Sequence, residues 1–352
     1  MQTQELIMSS SSQKLEESVA TDMIHKITGA WVSQAIYVAA HLGISDLLIE
    51  GEKHVDELSK LTGAKASRLY RLLRALASVD IFTEVEPRKF SLNEHAEYLR
   101  SDSTHSLRSL SMAIGDEWSW QSWGKMFDII QTDKLPLEDL YQAENAYAYF
   151  AENPESNKIF SNAMTDFTRN TIVPVVLETY DFSDVETLVD IGGSYGALIT
   201  PILIENSQIQ GILFDLPQVV NDAGTLMEEA GITNRCEIVS GDFFISVPTN
   251  GDAYILSQIL HNFNDESCIR ILKNIRRSMK EDGKLLVIQA VIPEGNEPCF
   301  NKLLDLELMI IDTGAKERTE NEYREIFQSA GFHLTEILSP SGPVSILEGT
   351  CS

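Results

Sequence analysis

A glycine-rich segment, DIGGSYG, begins at Asp190 and directly follows an apolar run. Glycines at such a turn let a ligand approach the backbone closely. A dinucleotide fingerprint GxGxxG starting at Gly192 would need glycines where the chain has Ser194 and Ala197, so the segment fits a nicotinamide site poorly. The alternative pattern, acidic-x-Gly-x-Gly-x-Gly, keeps Asp190, Gly192 and Gly196. An acid at the end of a strand favours a cationic ligand over a pyrophosphate.

Two more acidic residues follow the next apolar runs. Asp215 comes 19 residues after Gly196, close to the ~20-residue offset at which an acid binds ribose hydroxyls. An isolated Asp at a strand end is otherwise a common helix N-cap, and Pro217 strengthens that alternative. Farther on, Asp242 and Phe243 pair an acid with an aromatic ring, which suits the bracketing of an adenine. The paired spacing favours ribose binding for Asp215.

One histidine stands where a general base would be needed. His261 lies in the segment SQILHNFND, which begins at Ser257 and follows the fourth apolar run. A lone histidine is more often structural than catalytic. This one comes just past a predicted strand end, over the expected ligand.

The elements that must position these residues are short apolar runs separated by helical stretches, from residue 186 onward. Continuous apolar strands that alternate with helices predict a parallel sheet covered on both faces. Ligands bind at the carboxyl ends of the strands in such sheets, and the motifs lie there. The predicted strands are ETLVDI, GILFDL, RCEIVS, DAYILS and KLLVIQAVI.

The N-terminal part has a different pattern. Residues 15–50 carry an apolar stripe with helical periodicity, which either forms core or packs on a second chain. The next stretch predicts a helix ended by Gly63, a second helix, and a hairpin that turns at Glu86–Pro87. This is the outline of a winged helix, a module that often binds DNA. Arg68 and Arg71 are expected near the buried face of the second helix, so dimerisation or a substrate-lid role is favoured over DNA binding.

Residues 106–180 are predicted to be helical and are rich in aromatic side chains. Phe160, Met164 and Phe167 follow i, i+4, i+7 spacing and therefore share one helix face. Periodicity alone favours a core stripe. The functional alternative is a flat apolar wall for a planar ligand.

The composition excludes several classes of protein. A length of 352 residues suits two folded domains, and the net charge of −26 argues against nucleic acid and membrane surfaces as partners. The four cysteines show no CxxC spacing, which argues against a zinc site or a disulfide scaffold. Residues 1–13 are expected to form a flexible tail rather than a signal peptide. No apolar run reaches the ~18 residues of a membrane span. The expected location of the protein is cytoplasmic.

Seven motifs together resemble those of small-molecule O-methyltransferases that depend on S-adenosylmethionine, of the plant caffeate and bacterial antibiotic-tailoring type. The resemblance covers about residues 20–350, through FSNAM, LVDIGGSYG, GILFDLP, GDFF, ILHNFND, GAKERTE and SILEG. It implies an α/β fold in which a Rossmann-like methyltransferase sheet follows a mostly helical winged-helix dimerisation domain. It also implies an intertwined homodimer, S-adenosylmethionine as cofactor and a small, aromatic, hydroxylated acceptor. The expected division is a tail (1–13), a dimerisation domain (14–105), a helical linker and substrate wall (106–180) and a catalytic domain (181–352).

The same resemblance implies roles for individual residues. The implied cofactor site consists of Asp190, Gly192, Gly193, Gly196, Asp215, Leu216, Asp242, Phe243 and Ser257. The implied acceptor site consists of Phe160, Met164, Trp118 and Met309. At Phe160 and Met164 this reverses the preference for a core stripe. His261 would be the general base and Glu317 its carboxylate partner, and no metal is implied because a sulfonium already activates the methyl group.

The sequence departs from the family pattern at two positions of the implied catalytic set. Asn262 and Gln289 stand where the family usually has acids, so two charges that would support an imidazolium are absent. A phenol has a pKa of ~10 and free imidazole one of ~6.5. A histidine with fewer carboxylates beside it therefore requires an acceptor whose hydroxyl has a lower pKa. We therefore hypothesise an acidic acceptor, such as an activated phenol or an enol. The departures also leave open a scaffold repurposed for decarboxylation, hydroxylation or cyclisation with the cofactor retained.

Overall fold

The computed structural model describes residues 18–220, 223–339 and 342–351. It divides into two units, one that extends to Trp120 and one that begins at Gln121. The tail expected at residues 1–13 lies outside the described residues. Within the described ranges, no helix is both long and apolar enough to cross a membrane.

The first unit combines helices with a small antiparallel sheet of order β1–β3–β2. Helical residues 18–27 precede its named elements. These are α1 (Gly29–His41), α2 (Ile44–Leu47), β1 (Lys53–His54), α3 (Val55–Thr62), α4 (Ala66–Ala77), β2 (Thr83–Glu86), β3 (Lys89–Ser91), α5 (Glu94–Glu97) and α6 (Arg108–Gly115). Helix α7 (Glu117–Trp123) contains the boundary between the two units.

The predicted helix, second helix and hairpin are all present in this unit. Helix α3 ends at Gly63, whose φ of 74° is the left-handed conformation that favours glycine at a helix C-terminus. Strands β2 and β3 pair antiparallel and are joined by residues 87–88, where Arg88 has a φ of 67°. The turn is therefore one residue later than the sequence indicated.

The arginines of α4 are exposed, so the prediction that they fall near its buried face is wrong. The buried face consists of Leu69, Leu73 and Leu76. At about 100° per residue, Arg68 and Arg71 lie about 100° and 200° from Leu69 around the helix axis, which turns both guanidinium groups to solvent.

The N-terminal apolar stripe is largely exposed in the single chain. Ile27 is 71% exposed and Trp31 is 75% exposed, and Met23 and Ile24 are more than half exposed. Farther along the same stripe, Ala39 is buried. Core packing therefore accounts only for the C-terminal end of the stripe, and packing on a second chain remains the prediction for its start.

The second unit begins with helices and continues as alternating strands and helices. The first group is α8 (Met126–Thr132), α9 (Pro136–Tyr141), α10 (Ala146–Glu152), α11 (Pro154–Phe167), a π-helical turn (Thr168–Ile172) and α12 (Val173–Thr179). The alternating part is β4 (Thr187–Ile191), α13 (Ile199–Glu205), β5 (Gln210–Asp215), α14 (Pro217–Val220), α15 (Gly224–Glu229), β6 (Cys236–Ser240), β7 (Ala253–Ser257), a 3-10 turn (Leu260–Asn262), α16 (Asp265–Ser278), β8 (Lys284–Gln289), α17 (Asn301–Ile311), α18 (Glu320–Ala330), β9 (Phe332–Leu338) and β10 (Ser345–Cys351).

The seven-stranded sheet has the order β6–β5–β4–β7–β8–β10–β9. The first five strands are parallel, and β10 runs antiparallel between β8 and β9. All five predicted strands are confirmed. Strand β4 illustrates why such a run is apolar at consecutive positions. Leu188 packs in the core on the face of the sheet covered by α13, and Val189 packs in the core on the opposite face, covered by α16 and α18.

The carboxyl ends of the parallel strands form one edge of the sheet. Strand β5 ends at Asp215, β7 at Ser257 and β8 at Gln289, and Asp190 is the next-to-last residue of β4. In-register pairing of β4 with both β5 and β7 aligns these ends. The expectation that the motifs lie at the strand ends is confirmed.

Candidate active site

The turn after β4 uses backbone conformations that favour glycine. Gly192 and Gly196 have φ values of 72° and 82°. Gly193 is needed for a different reason, because a Cβ there would lie 2.5 Å from Oδ2 of Asp190 and 2.4 Å from Cδ1 of Leu213. The turn therefore lies directly over the Asp190 carboxylate.

Asp190 is a buried acid beneath this turn. Its side chain is 1% exposed, and no hydrogen-bond partner satisfies Oδ2. Burial, with the nearby charge of Asp215, raises the pKa of Asp190 to about 7, although a hydrogen bond from the amide of Ile199 acts in the opposite direction. A buried carboxylate with a free oxygen is suited to a cationic ligand.

Asp215 holds the glycine turn from the neighbouring strand. Its Oδ2 accepts from the amide of Ser194 at 2.8 Å and its Oδ1 from the amide of Leu216 at 2.7 Å. Burial raises the pKa of Asp215, and these two hydrogen bonds limit the rise. The carboxylate bonds to the turn rather than to the second or third residue of α14, so the helix N-cap alternative does not describe its contacts.

Asp242 and Phe243 form the next part of the edge, after β6. Oδ1 of Asp242 accepts from the amide of Phe244 at 2.8 Å, and Asn274 of α16 donates to the carbonyl of Phe243 at 2.8 Å. The Phe243 ring lies close to the glycine turn, since a Cβ built at Gly192 would be 3.8 Å from its Cε1. An acid and a ring are thus fixed beside the turn.

His261 lies in the 3-10 turn after β7 and contacts a buried acid. Its Nδ1 is 2.9 Å from Oε1 of Glu317. The Glu317 side chain is 0% exposed and its Oε2 has no hydrogen-bond partner, whereas the His261 side chain is 11% exposed. The carboxylate can only accept, so Nδ1 carries the proton and Nε2 is left as the acceptor. This arrangement can take a proton and stabilise the resulting imidazolium.

The segment that carries Glu317 is attached to the histidine turn on both sides. The amide of Lys316 donates to the carbonyl of His261 at 2.9 Å. The guanidinium of Arg318 donates to the carbonyl oxygens of Leu260 and Phe263 at 3.0 and 2.6 Å.

Sequence reasoning missed Arg318, and it also missed Asp305, whose Oδ1 accepts from the amide of Glu317 at 2.7 Å. The signal available for Arg318 was its place directly after Glu317 in the GAKERTE motif. An arginine next to an acid usually indicates a solvated pair, so its complete burial could not be inferred.

Gln289 and Asn262 have no hydrogen bond to His261. Gln289 is fully buried and both polar atoms of its amide lack partners. Nδ2 of Asn262 donates to the carbonyl of Gln258 at 3.0 Å, a bond that an aspartate could not make. The hydroxyl of Ser257 is also buried without a partner.

The residues predicted for the acceptor are spread over several helices. Phe160 and Met164 lie on α11, where the Phe160 ring stacks on Phe150 at 4.7 Å and Met164 is exposed. Met309 is half-buried on α17. Trp118 belongs to the first unit and is buried. Acceptor contact by these four side chains remains a prediction.

No group of three or more His, Cys, Asp or Glu side chains among residues 18–220, 223–339 and 342–351 is arranged to hold a metal ion. All four cysteines are free thiols.

Comparison with known protein families assigns the class. The model of an O-methyltransferase domain matches residues 123–333, and the model of an O-methyltransferase dimerisation domain matches residues 24–102. Enzymes of this class use S-adenosylmethionine to methylate small molecules. The chain belongs to this family and is an S-adenosylmethionine-dependent O-methyltransferase.

Individual relatives agree with this assignment. A phenazine O-methyltransferase, PhzM, of Lysobacter antibioticus is 41% identical over 93% of this chain and 94% of its own length. The crystal structure of LaPhzM superposes with a TM-score of 0.90 at 40% identity, covering 95% of this chain and 99% of that one. CalO1, a methyltransferase of calicheamicin biosynthesis solved with S-adenosylhomocysteine, superposes with a TM-score of 0.83 at 30% identity, covering 95% and 98%.

Proposed function

We propose that this enzyme methylates an acidic phenolic or enolic hydroxyl of a small planar aromatic metabolite, with His261 as general base. The observation that carries the proposal is the 2.9 Å contact between His261 and the buried Glu317, at the edge of the sheet where the glycine turn lies. The name of the phenazine-methylating relative supports a planar, ring-fused acceptor.

The residues of the turn suit S-adenosylmethionine, which carries a sulfonium, an ammonium and an adenosine. The free oxygen of the buried Asp190 matches a cationic group, and the positive φ values of Gly192 and Gly196 give a turn whose backbone a ligand can approach closely. Asp215 would hold the ribose, and Asp242 with Phe243 would frame the adenine. Gly192, Gly196, Leu216 and Ser257 complete the proposed cofactor set. When bound, S-adenosylmethionine supplies a methyl group already activated by its sulfonium.

The protein's own contribution is orientation and removal of a proton. With Nδ1 hydrogen-bonded to Glu317, Nε2 of His261 accepts the hydroxyl proton of the acceptor, and the carboxylate stabilises the imidazolium. Such a positioned base typically contributes about 10²- to 10⁴-fold in rate.

Asn262 and Gln289 restrict the acceptor. With two neutral amides in place of carboxylates, the negative charge that stabilises an imidazolium is that of Glu317. Because this makes His261 a weaker base, the site favours an acceptor hydroxyl with a low pKa. Phe160, Met164 and Met309 would contribute to the apolar wall for the ring system, because flat side chains and thioethers pack well on aromatic faces. Contact of Trp118, in the first unit, with the acceptor is a separate prediction.

The functional unit is proposed to be a homodimer. The chain carries the family's dimerisation domain, and the exposed apolar stripe from Val19 to Trp31 lies mostly within it. A second copy would cover that stripe.

The test is an assay of S-adenosylmethionine with hydroxylated phenazines, hydroxybenzoates and catechols whose hydroxyl pKa values range from about 7 to about 10. Formation of S-adenosylhomocysteine and of methylated product would be followed by mass spectrometry. We expect kcat/KM to be greatest for the most acidic hydroxyls. Consumption of an acceptor without equivalent S-adenosylhomocysteine would overturn methyl transfer, and equal rates across the series would overturn the preference for acidic acceptors.

A further inference from the structure

Arg318 is a completely buried arginine that bonds to one carboxylate and to backbone carbonyls. Its side chain is 0% exposed, although its ion-pair partner Asp265 is half exposed. Nε and Nη2 donate to Oδ1 of Asp265 at 2.9 and 2.8 Å. Nη1 donates to the carbonyl of Leu260 at 3.0 Å and Nη2 to that of Phe263 at 2.6 Å. The guanidinium therefore joins the start of α16 to both ends of the turn that carries His261.

Three consecutive residues contact this turn in succession. The Lys316 amide bonds to the His261 carbonyl, the Glu317 carboxylate to the His261 ring, and the Arg318 guanidinium to the carbonyls on either side. These residues lie more than 50 positions after the turn in sequence. Their contacts hold residues 260–263 and residues 316–318 in a fixed relative position, at the place where His261 meets Glu317.

We propose that Arg318 is a positioning residue that sets the hydrogen bond between His261 and Glu317. It holds the histidine turn and the glutamate segment in register, so that Nδ1 and Oε1 stay within hydrogen-bond distance while the acceptor binds. The inference rests on the proposed function only in taking His261 as the base.

The chemistry of the guanidinium explains why arginine is required here. Its planar fork offers donors in fixed directions, which lets one side chain bond to Asp265 and to two carbonyls that face it from different sides. A lysine keeps the charge, but its single nitrogen cannot maintain that geometry. Burial alone would raise the pKa of Asp265, but Arg318 and Lys316 hold it below its usual value, so the ion pair persists at neutral pH.

A misplacement of about 1 Å at a catalytic group can cost about 10²-fold in rate. Loss of the Arg318 contacts should therefore reduce kcat through Glu317 and His261 rather than through the cofactor site. This dependence separates a positioning role from a purely structural one.

The experiment compares Arg318→Lys with wild type by two independent readouts. The first is the Nδ1 proton resonance of His261 in protein labelled with ¹⁵N-histidine, assigned with His261→Gln, and it needs no turnover. The second is a double-mutant cycle for kcat between Arg318→Lys and Glu317→Gln, measured with the best acceptor found. Arg324→Lys is the matched control, because Arg324 pairs with Glu320 on the surface of α18.

We expect the His261 resonance to shift upfield and broaden in Arg318→Lys and to be unchanged in Arg324→Lys. We expect kcat to fall about tenfold in the wild-type background and less than about threefold when Glu317 is already Gln, because the two residues act through one interaction. An unchanged resonance, or equal losses of kcat in both backgrounds, would overturn the proposal.

Asp265→Asn provides a second variant should Arg318→Lys fail to fold. It removes the charge of the half-exposed partner while Arg318 remains, and it should move the same resonance in the same direction by a smaller amount. An unaffected resonance in Asp265→Asn would also overturn the proposal. If no acceptor is turned over by the wild type, the proposed function fails while the resonance still decides the role of Arg318.

Discussion

Nδ1 of His261 and Oε1 of Glu317 lie 2.9 Å apart although the two residues are separated by 56 positions in the chain. Glu317 has no solvent contact, and its second oxygen lacks a partner. A buried, half-satisfied carboxylate is unfavourable for stability by itself. Its presence beside the imidazole is explained if the charge is used to stabilise a protonated His261 during the reaction.

Substitution of this pair should separate activity from stability. We expect His261→Ala to lower kcat by about 10²- to 10⁴-fold. Glu317→Gln should lower kcat less, because the amide oxygen can still accept from Nδ1 but no longer offsets the imidazolium charge. The melting temperature of Glu317→Gln should be unchanged or higher, since a buried charge is removed. Calorimetry and initial rates with saturating S-adenosylmethionine would measure both.

The outcome that contradicts this prediction is normal turnover by His261→Ala. A parallel loss of activity and of melting temperature in Glu317→Gln would instead indicate that Glu317 is structural.

Asp190 should make cofactor binding pH-dependent. Its pKa is raised to about 7 by burial and by Asp215, so in the free protein the carboxyl is protonated below that pH and ionised above it. A bound cation favours the ionised form, so binding releases a proton on the acidic side. We expect the affinity for S-adenosylmethionine to rise from about pH 6 to about pH 8 and then to level off.

Isothermal titration in buffers of different ionisation enthalpy would measure the released proton. Asp190→Asn should bind more weakly and with little dependence on pH over the same range. If the variant keeps the wild-type slope, another group, such as Asp215, is responsible.

The five parallel strands of the catalytic sheet could be predicted from the sequence, and for β4, β7 and β8 the reason is that nearly every residue is buried. Strands β9 and β10 were not among the predictions. Each of these three buried strands is mainly apolar, and the polar residue at or next to its end marks the edge of the sheet. Strand β6, at the side of the sheet, is partly exposed. Arg318 could not be predicted in the same way. Its burial depends on Leu260 and Phe263, which are distant in sequence, and no local pattern indicates that their carbonyls need a donor.

The exposure of the α4 arginines was missed for a different reason. A stripe of leucines at three- and four-residue steps fixes the buried face, but the sequence alone does not show how wide that face is. Arg68 and Arg71 border Leu69 and Leu72 in sequence, yet they lie outside the narrow contact made by Leu69, Leu73 and Leu76.

Ser194 occupies the position where the acidic-glycine pattern has its middle glycine. The residue adopts a φ of 53°, a conformation that costs a non-glycine residue about 1 kcal/mol or more. Its backbone amide is the group that bonds to Asp215, and glycine would keep that amide. We expect Ser194→Gly to retain the affinity for S-adenosylmethionine within about twofold, since only strain is removed at the turn.

Two variants control this prediction. Ser194→Val should destabilise the turn by about 1–2 kcal/mol, because a β-branched residue is disfavoured in the left-handed region. Asn250→Gly relieves a similar φ of 65° away from the site and should leave cofactor affinity unchanged. A marked loss of affinity in Ser194→Gly would show that the serine hydroxyl itself is needed.

The exposed apolar stripe predicts where a homodimer can be broken. Ile27 and Trp31 are four residues apart in sequence and are 71% and 75% exposed. A charge at either position would have to be buried against the second copy, which typically costs several kcal/mol. We expect Ile27→Glu and Trp31→Glu to weaken the dimer by about a hundredfold or more, seen by light scattering after gel filtration as a shift to the monomer mass. Val79→Glu is the control, because Val79 is an apolar residue outside the stripe that is 44% exposed, and this variant should leave the dimer intact. If both stripe variants remain dimeric, the interface lies elsewhere.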